Sequence, residues 1–257
     1  MPTVNGFPGR RRPSVWLATL TGNVFLVLGT LVMATLALLV GWLPPRGDWV
    51  YRVARLWSRG VLLSSGVRVV SAVETALEPS GQHVFMANHR SLFDIPVLIA
   101  TLPGQTRFLA KRSLFQIPVF GWALRLGGFI TIDRKNLSSA RDSFSQAVAR
   151  LRTGTSILVF PEGTRSTTGD FLPFRRGGFL LALKSGLPIV PVGIRGSRDV
   201  QAKTSFWIRP GTVSVHYGSP IDTATYSVST KDELMGTVRE RILALVADDS
   251  VGSDAEV

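Results

Sequence analysis

The chain opens on a long uncharged stretch, Val15 to Leu43, "VWLATLTGNVFLVLGTLVMATLALLVGWL". At about 1.5 Å of rise per helical residue it exceeds the roughly 30 Å hydrocarbon core of a bilayer, so it reads as a membrane segment. A cleaved signal peptide fits less well, because the run is longer than the ~7–15 apolar residues of such a region and no small-residue cleavage site follows. Next, "WVYRVARLWSRGVLL" sets Arg52, Arg55 and Arg59 on one helical face and Val50, Val53, Trp57 and Val61 on the other. That is the pattern of a helix lying in a membrane interface.

From about Gly81 the pattern changes to short apolar runs. "HVFMA", "TRFLA", "GGFITI", "SILVF", "LPIVPVGI" and "VSVHYG" read as strands, while Ser138 to Arg152, Arg175 to Lys184 and Lys231 to Ala247 read as helices. Ser138 is placed to cap its helix, and Gly154 and Gly186 follow helix ends. The expected fold class is α/β, a mixed sheet flanked by helices and preceded by an N-terminal membrane-associated helical segment. The domains expected are a basic arm (1–14), a membrane-associated helical region (15–73), an α/β catalytic domain (74–247) and a disordered polar tail (248–257).

A chain of 257 residues can bury a full enzyme core without covalent staples. It has no cysteine, which removes disulfides, thiolate nucleophiles and Cys-based zinc sites together. The net charge of +12, from 29 Lys and Arg against 17 Asp and Glu, predicts attraction to anions: phosphorylated substrates, anionic lipid or nucleic acid. Nucleic acid is the poorest fit, since the basic residues surround an apolar anchor and no binding motif is present. Arginines flank the apolar run on both sides, at 10–12 and 46–59, so charge assigns no orientation. A single span and a hairpin dipping into one leaflet both remain open.

In "ANHRSLFD", His89 and Asp94 stand where a strand gives way to a helix, the place where α/β sheets display functional groups. An Asp bonded to one imidazole nitrogen fixes the tautomer and leaves the other nitrogen as a general base. No G-x-S-x-G elbow is present, so the proton is expected to come from a substrate hydroxyl. Taken alone, the spacing fits a helix-capping His and a solvent-facing Asp equally well. A second block, "FPEGTRS", follows the run "SILVF"; Gly163 permits an unusual turn, Arg165 offers a planar fork of donors for a phosphate, and Glu162 either orients that Arg or holds the loop. The bland alternative is an exposed turn with a local ion pair. "GGFITIDR" adds Arg134 and "LAKRSLFQIPVFGW" adds Lys111 as further cations near strand ends. In "LPIVPVGI", Pro188 and Pro191 are expected to shape an edge or entrance.

In this order, "NHRSLFD", "GGFITIDR", "FPEGTRS" and "LPIVPVGI" resemble the four sequence blocks of the glycerolipid acyltransferase family, most closely its bacterial 1-acylglycerol-3-phosphate acyltransferases, over about Gly81 to Pro220. The resemblance implies transfer of an acyl group from acyl-CoA or acyl-carrier protein to the free hydroxyl of lysophosphatidic acid. By it, His89 is the base, Asp94 its orienting partner and Arg165 a phosphate ligand. Glu162, Gly163 and Thr164 build the same loop, and Lys111 and Arg134 are further phosphate-side contacts. It also implies no redox cofactor or essential metal, membrane lipid as a partner, and a place at the inner (cytoplasmic) membrane with the catalytic domain on the cytoplasmic side. Another lyso-lipid or glycerol 3-phosphate is the alternative acceptor, and a non-enzymatic module binding anionic lipid is the alternative of another class.

Overall fold

The computed structural model describes residues 13–43, 47–78, 81–132, 145, 147–148, 151 and 154–248. The apolar run forms one helix, α1 (Pro13–Val40), with a π-helical stretch at Phe25–Gly29. It is long and apolar enough to cross a membrane, with 11% of its most apolar window buried. What it buries is a stripe of small residues, Ala18, Thr19 and Gly22 in the first half and Ala34 and Ala37 in the second. Small side chains let the backbone approach closely: a Cβ on Gly22 would meet Ser65 Oγ at 2.6 Å. Many large residues of α1, such as Leu20, Val27 and Leu39, point away from the protein, while Phe25, Leu26 and Leu36 pack partly against it.

Helix α2 (Asp48–Ser64) is strongly amphipathic, as its arginine and valine spacing suggested, and buries Val50, Val53 and Val61. These residues pack against protein, however. They face α1 and α3 (Asp94–Thr101), and Arg55 donates a hydrogen bond to the carbonyl of Leu102. The expected interfacial helix is thus chiefly an inner helix, because α1 covers much of the face that would otherwise meet lipid.

Seven strands form one mixed sheet: β1 (Val67–Val73), β2 (Val84–Ala87), β3 (Thr106–Lys111), β4 (Ile130–Ile132), β5 (Ser156–Val159), β6 (Ile189–Arg195) and β7 (Gly211–Tyr217), in spatial order 1-7-6-2-5-3-4. All neighbours are parallel except β6 and β7. β1 lies inside 15–73, the stretch assigned to the membrane-associated region, so the sheet begins at Val67, ahead of the expected boundary at 74. Its alternating "VRVVSAV" escaped notice beside the longer apolar runs. "GGFITI" is a strand only from Ile130, its glycines forming the turn after α4 (Phe120–Leu126).

β2 sits at the centre with all four residues fully buried, as a parallel strand covered on both faces should be. One face packs Phe85, Val190 and Val192 under α2 and α3. The other packs Val84, Met86 and Ile157 under α5 (Arg176–Ser185) and α7 (Lys231–Ala247), the last two close to the helices expected. Of the helix expected over Ser138 to Arg152, the described residues Ser145, Ala147, Val148 and Leu151 are helical, and the rest lies outside the described residues. So do residues 1–12 and 249–257.

Pro191 does not shape an edge: β6 is an interior strand. It is tolerated because its nitrogen faces the gap between the Val192–Tyr217 pairing and the isolated Ile189–Ile221 bridge, where the ladder to β7 is interrupted, while its carbonyl accepts from Gly218 N at 2.9 Å.

Candidate active site

β2 and β5 are neighbours and parallel, so the loops that follow them emerge side by side at the carboxyl edge of the sheet. The first carries "NHRSLFD". Asn88 anchors it, its side-chain amide donating to Ile194 O at 2.9 Å and accepting from Ile194 N at 2.7 Å. The chain then turns tightly around one carboxylate oxygen. Asp94 Oδ2 accepts from His89 Nδ1 at 2.8 Å, Arg90 N at 2.7 Å and Ser91 N at 2.8 Å. Asp94 is fully buried, whereas His89 keeps 14% of its side chain exposed. With Nδ1 committed to the carboxylate, Nε2 is the nitrogen left to accept a proton. The ring is held flat by Phe160, stacked on it at 3.9 Å between centroids and 17° between planes.

The second loop, "FPEGTRS", is stitched to the first. Glu162, 3% exposed, accepts from His89 N through Oε1 and from Leu172 N through Oε2, both at 2.9 Å, while Ser166 N donates to His89 O at 3.1 Å. Of its two expected roles, Glu162 therefore holds the loop. Gly163 has φ of 72°, so the turn favours glycine, and a Cβ there would meet the Arg175 side chain at 2.7 Å and displace it. Burial lowers the pKa of Arg165 from the usual guanidinium value and the Asp94 carboxylate raises it, the first effect being larger.

His89, Lys111, Thr164 and Arg165 line one cavity of about 480 Å3, within the range of small-molecule sites. Lys203 lines it too; the rest of the lining is mainly apolar, from Met33, Ala34 and Ala37 of α1, Val50 and Trp57 of α2, Phe108 of β3, and Phe129. The structure thus brings seven of the eight expected site residues onto two adjacent loops and one cavity, three of them (His89, Asp94 and Glu162) in one hydrogen-bonded set. The eighth, Arg134, lies outside the described residues.

Lys203 was missed by sequence reasoning. Its Nζ donates to Arg165 O at 2.8 Å, tying the second loop from the far side. It follows α6 (Ser197–Val200) in "QAKTSFW", outside all four blocks, and a lone Lys there carries no signal. Ser91, too generic to nominate, has a structural part: its hydroxyl donates to Gln201 O at 2.7 Å.

Residues 68–195 match the family model described as Acyltransferase. The chain is 30% identical over 239 residues to the human protein named 1-acyl-sn-glycerol-3-phosphate acyltransferase alpha, covering 91% of this chain and 84% of that one. The chain belongs to the acyltransferase family. A protein of Cocos nucifera named 1-acyl-sn-glycerol-3-phosphate acyltransferase is 37% identical over 166 residues, 64% of this chain and 53% of the relative, so the acyltransferase spans about half the length of some curated relatives it matches. Among solved structures, the 1-acyl-sn-glycerophosphate (LPA) acyltransferase PlsC from Thermotoga maritima superposes with a TM-score of 0.78 at 25% identity, over 90% of this chain and 94% of that one. The mixed α/β fold with its N-terminal apolar helix is shared along nearly the whole chain.

Proposed function

We propose that the protein transfers an acyl group from a thioester, acyl-CoA or acyl-carrier protein, to the free hydroxyl of 1-acylglycerol 3-phosphate, giving phosphatidic acid. The observation that carries this reading is a single cavity lined by His89, whose Nδ1 is bonded to Asp94, by the cations Lys111, Arg165 and Lys203, and by many apolar side chains. The names of the relatives agree with it.

The geometry supports a mechanism. The acceptor phosphate sits against Arg165 and Lys203, with Lys111 at the cavity wall. The acceptor hydroxyl then gives its proton to His89 Nε2 as its oxygen attacks the thioester carbonyl carbon. Asp94 holds the ring and balances the imidazolium, an arrangement worth about 10²–10⁴-fold in rate. Collapse of the tetrahedral intermediate breaks the carbon–sulfur bond, and the thiolate takes the proton back from His89. An apolar chain of donor or acceptor lies between α1, α2 and the sheet.

The outward side chains of α1 meet lipid in this reading, and contacts along the helix support one orientation. Thr19 receives a hydrogen bond from Ile208 N at 3.0 Å, and Ala37 lies over α4, so the catalytic domain flanks about 27 Å of the helix axis. A helix accompanied over that length lies along the domain and enters one leaflet; a crossing would drag polar loops into hydrocarbon.

The experiment is a panel of acceptors and donors offered to the purified full-length protein, with products identified by mass spectrometry. Phosphatidic acid from lysophosphatidic acid is expected, and His89→Ala should lower its rate by about 10²–10⁴-fold with unfolding unchanged. Product only from another lyso-lipid would overturn the acceptor, and full activity in His89→Ala would overturn the mechanism.

A further inference from the structure

We propose that Phe206 and Trp207, at the tip of the loop between α6 and β7, form a second membrane contact, with phospholipid acyl chains filling the groove between this tip and α1. The inference rests on the reading of α1 as a one-leaflet membrane helix and extends it to the catalytic domain itself.

Four observations converge on this surface. The first is an open groove of about 460 Å3 between the amino-terminal half of α1 (Trp16, Leu20, Val24, Val27) and the two aromatics. Trp16 meets Trp207 edge-to-face at 4.5 Å, so the tip continues the outward apolar face of α1 without a polar break. The second is exposure: Phe206 is 66% and Trp16 58% exposed, neighbouring aromatics that water solvates poorly and a headgroup boundary accepts well.

The third is the backbone. Inserting a loop into lipid strands its amides unless they are bonded internally. Here Ser205 N donates to Ala202 O, Trp207 N to Ser205 Oγ and Ile208 N to Thr19 Oγ1, each at 3.0 Å. The fourth is charge, since Arg198 and Arg209 are exposed on either side of the tip and suit the phosphates of anionic lipid.

The position of the tip gives the contact a purpose. Gln201 and Lys203, on the same connector, bond Ser91 of the first catalytic loop and Arg165 of the second. A membrane contact at residues 206–207 therefore sets the height of the catalytic loops above the bilayer.

The absence of cysteine makes the test direct. Single cysteines at Phe206→Cys, Leu20→Cys on the outward face of α1, and Ser229→Cys, exposed ahead of α7, would each carry a polarity-sensitive fluorophore on the full-length protein. The probe is a vesicle of phosphatidylethanolamine and phosphatidylglycerol containing chain-brominated lipid. Labels at 206 and 20 should both shift to the blue and be quenched at least about threefold more than the label at 229. A label at 206 as wet as that at 229, beside a quenched label at 20, would overturn the second contact and leave α1 in the membrane. If 20 is wet as well, both readings fall. Because the label replaces Phe206, a second variant is needed: Phe206→Asp should lower acyl transfer to a vesicle-embedded acceptor about fivefold or more, yet leave transfer to a detergent-dispersed acceptor unchanged. Equal loss in both assays, or none in vesicles, would overturn the proposal.

Discussion

Glu162 and Lys203 act on the same loop from opposite sides. Glu162 is a buried carboxylate satisfying two backbone amides, those of His89 and Leu172. Glu162→Ala strands both, at roughly 1–3 kcal/mol each, and should lower the thermal midpoint by several degrees, as calorimetry would show. Glu162→Gln, which keeps one acceptor oxygen, should lose about half as much. Lys203 carries a charge in the cavity lining, so Lys203→Met should raise KM for a phosphate-bearing acceptor about tenfold with little change in kcat, the worth of one charge-assisted hydrogen bond. A neutral monoacylglycerol should be used equally well by both proteins, a comparison that separates phosphate binding from general damage. His89, Asp94 and Arg165 were legible in the sequence because short-range motifs hold them. Lys203 was not, because it reaches Arg165 across 38 positions and nothing local marks that distance.

Helix α1 illustrates what hydrophobic patterning conveys and what it hides. Its length and apolar character follow directly from composition, but a nearly uniform run gives no sign of which face is turned inward. Its buried positions are small, Ala18, Thr19, Gly22, Ala34 and Ala37, while larger residues either pack partly against the core, as Phe25, Leu26 and Leu36 do, or are left outside, as Leu20, Val27 and Leu39 are. Ala34 and Ala37 are also part of the cavity's apolar lining. Ala37→Phe should therefore shorten the apolar interior, reducing kcat/KM for long-chain thioesters about tenfold or more relative to medium-chain ones in a donor panel. The same blindness to partners explains why α2 looked interfacial. Amphipathicity states that a face is covered, and only the fold says by what.

Across the whole molecule, two buried histidines link folding to pH. His83 and His216 both have pKa values lowered below the ordinary imidazole value, chiefly by burial; for His216 the Asp248 carboxylate opposes that effect. Well above the ordinary imidazole value of about 6.5 both are neutral whether folded or unfolded, so there they contribute no pH dependence. As pH falls below that value the unfolded chain takes up protons that the folded chain resists, and stability declines. The unfolding midpoint should drop between pH 7 and 5.5, and replacing both histidines with glutamine should flatten that decline. The α/β class, the strand runs and the order of the functional blocks were readable at this scale, whereas the place of β1 beside β7 depends on pairing between segments about 140 residues apart. One consequence follows from the shared wall between α1 and the substrate cavity. On the proposed function, attachment and chain-length selectivity are inherited as a single trait: a descendant that exchanged its anchor for another would alter the fatty acids it accepts, and one that discarded the anchor would open its reaction chamber to water.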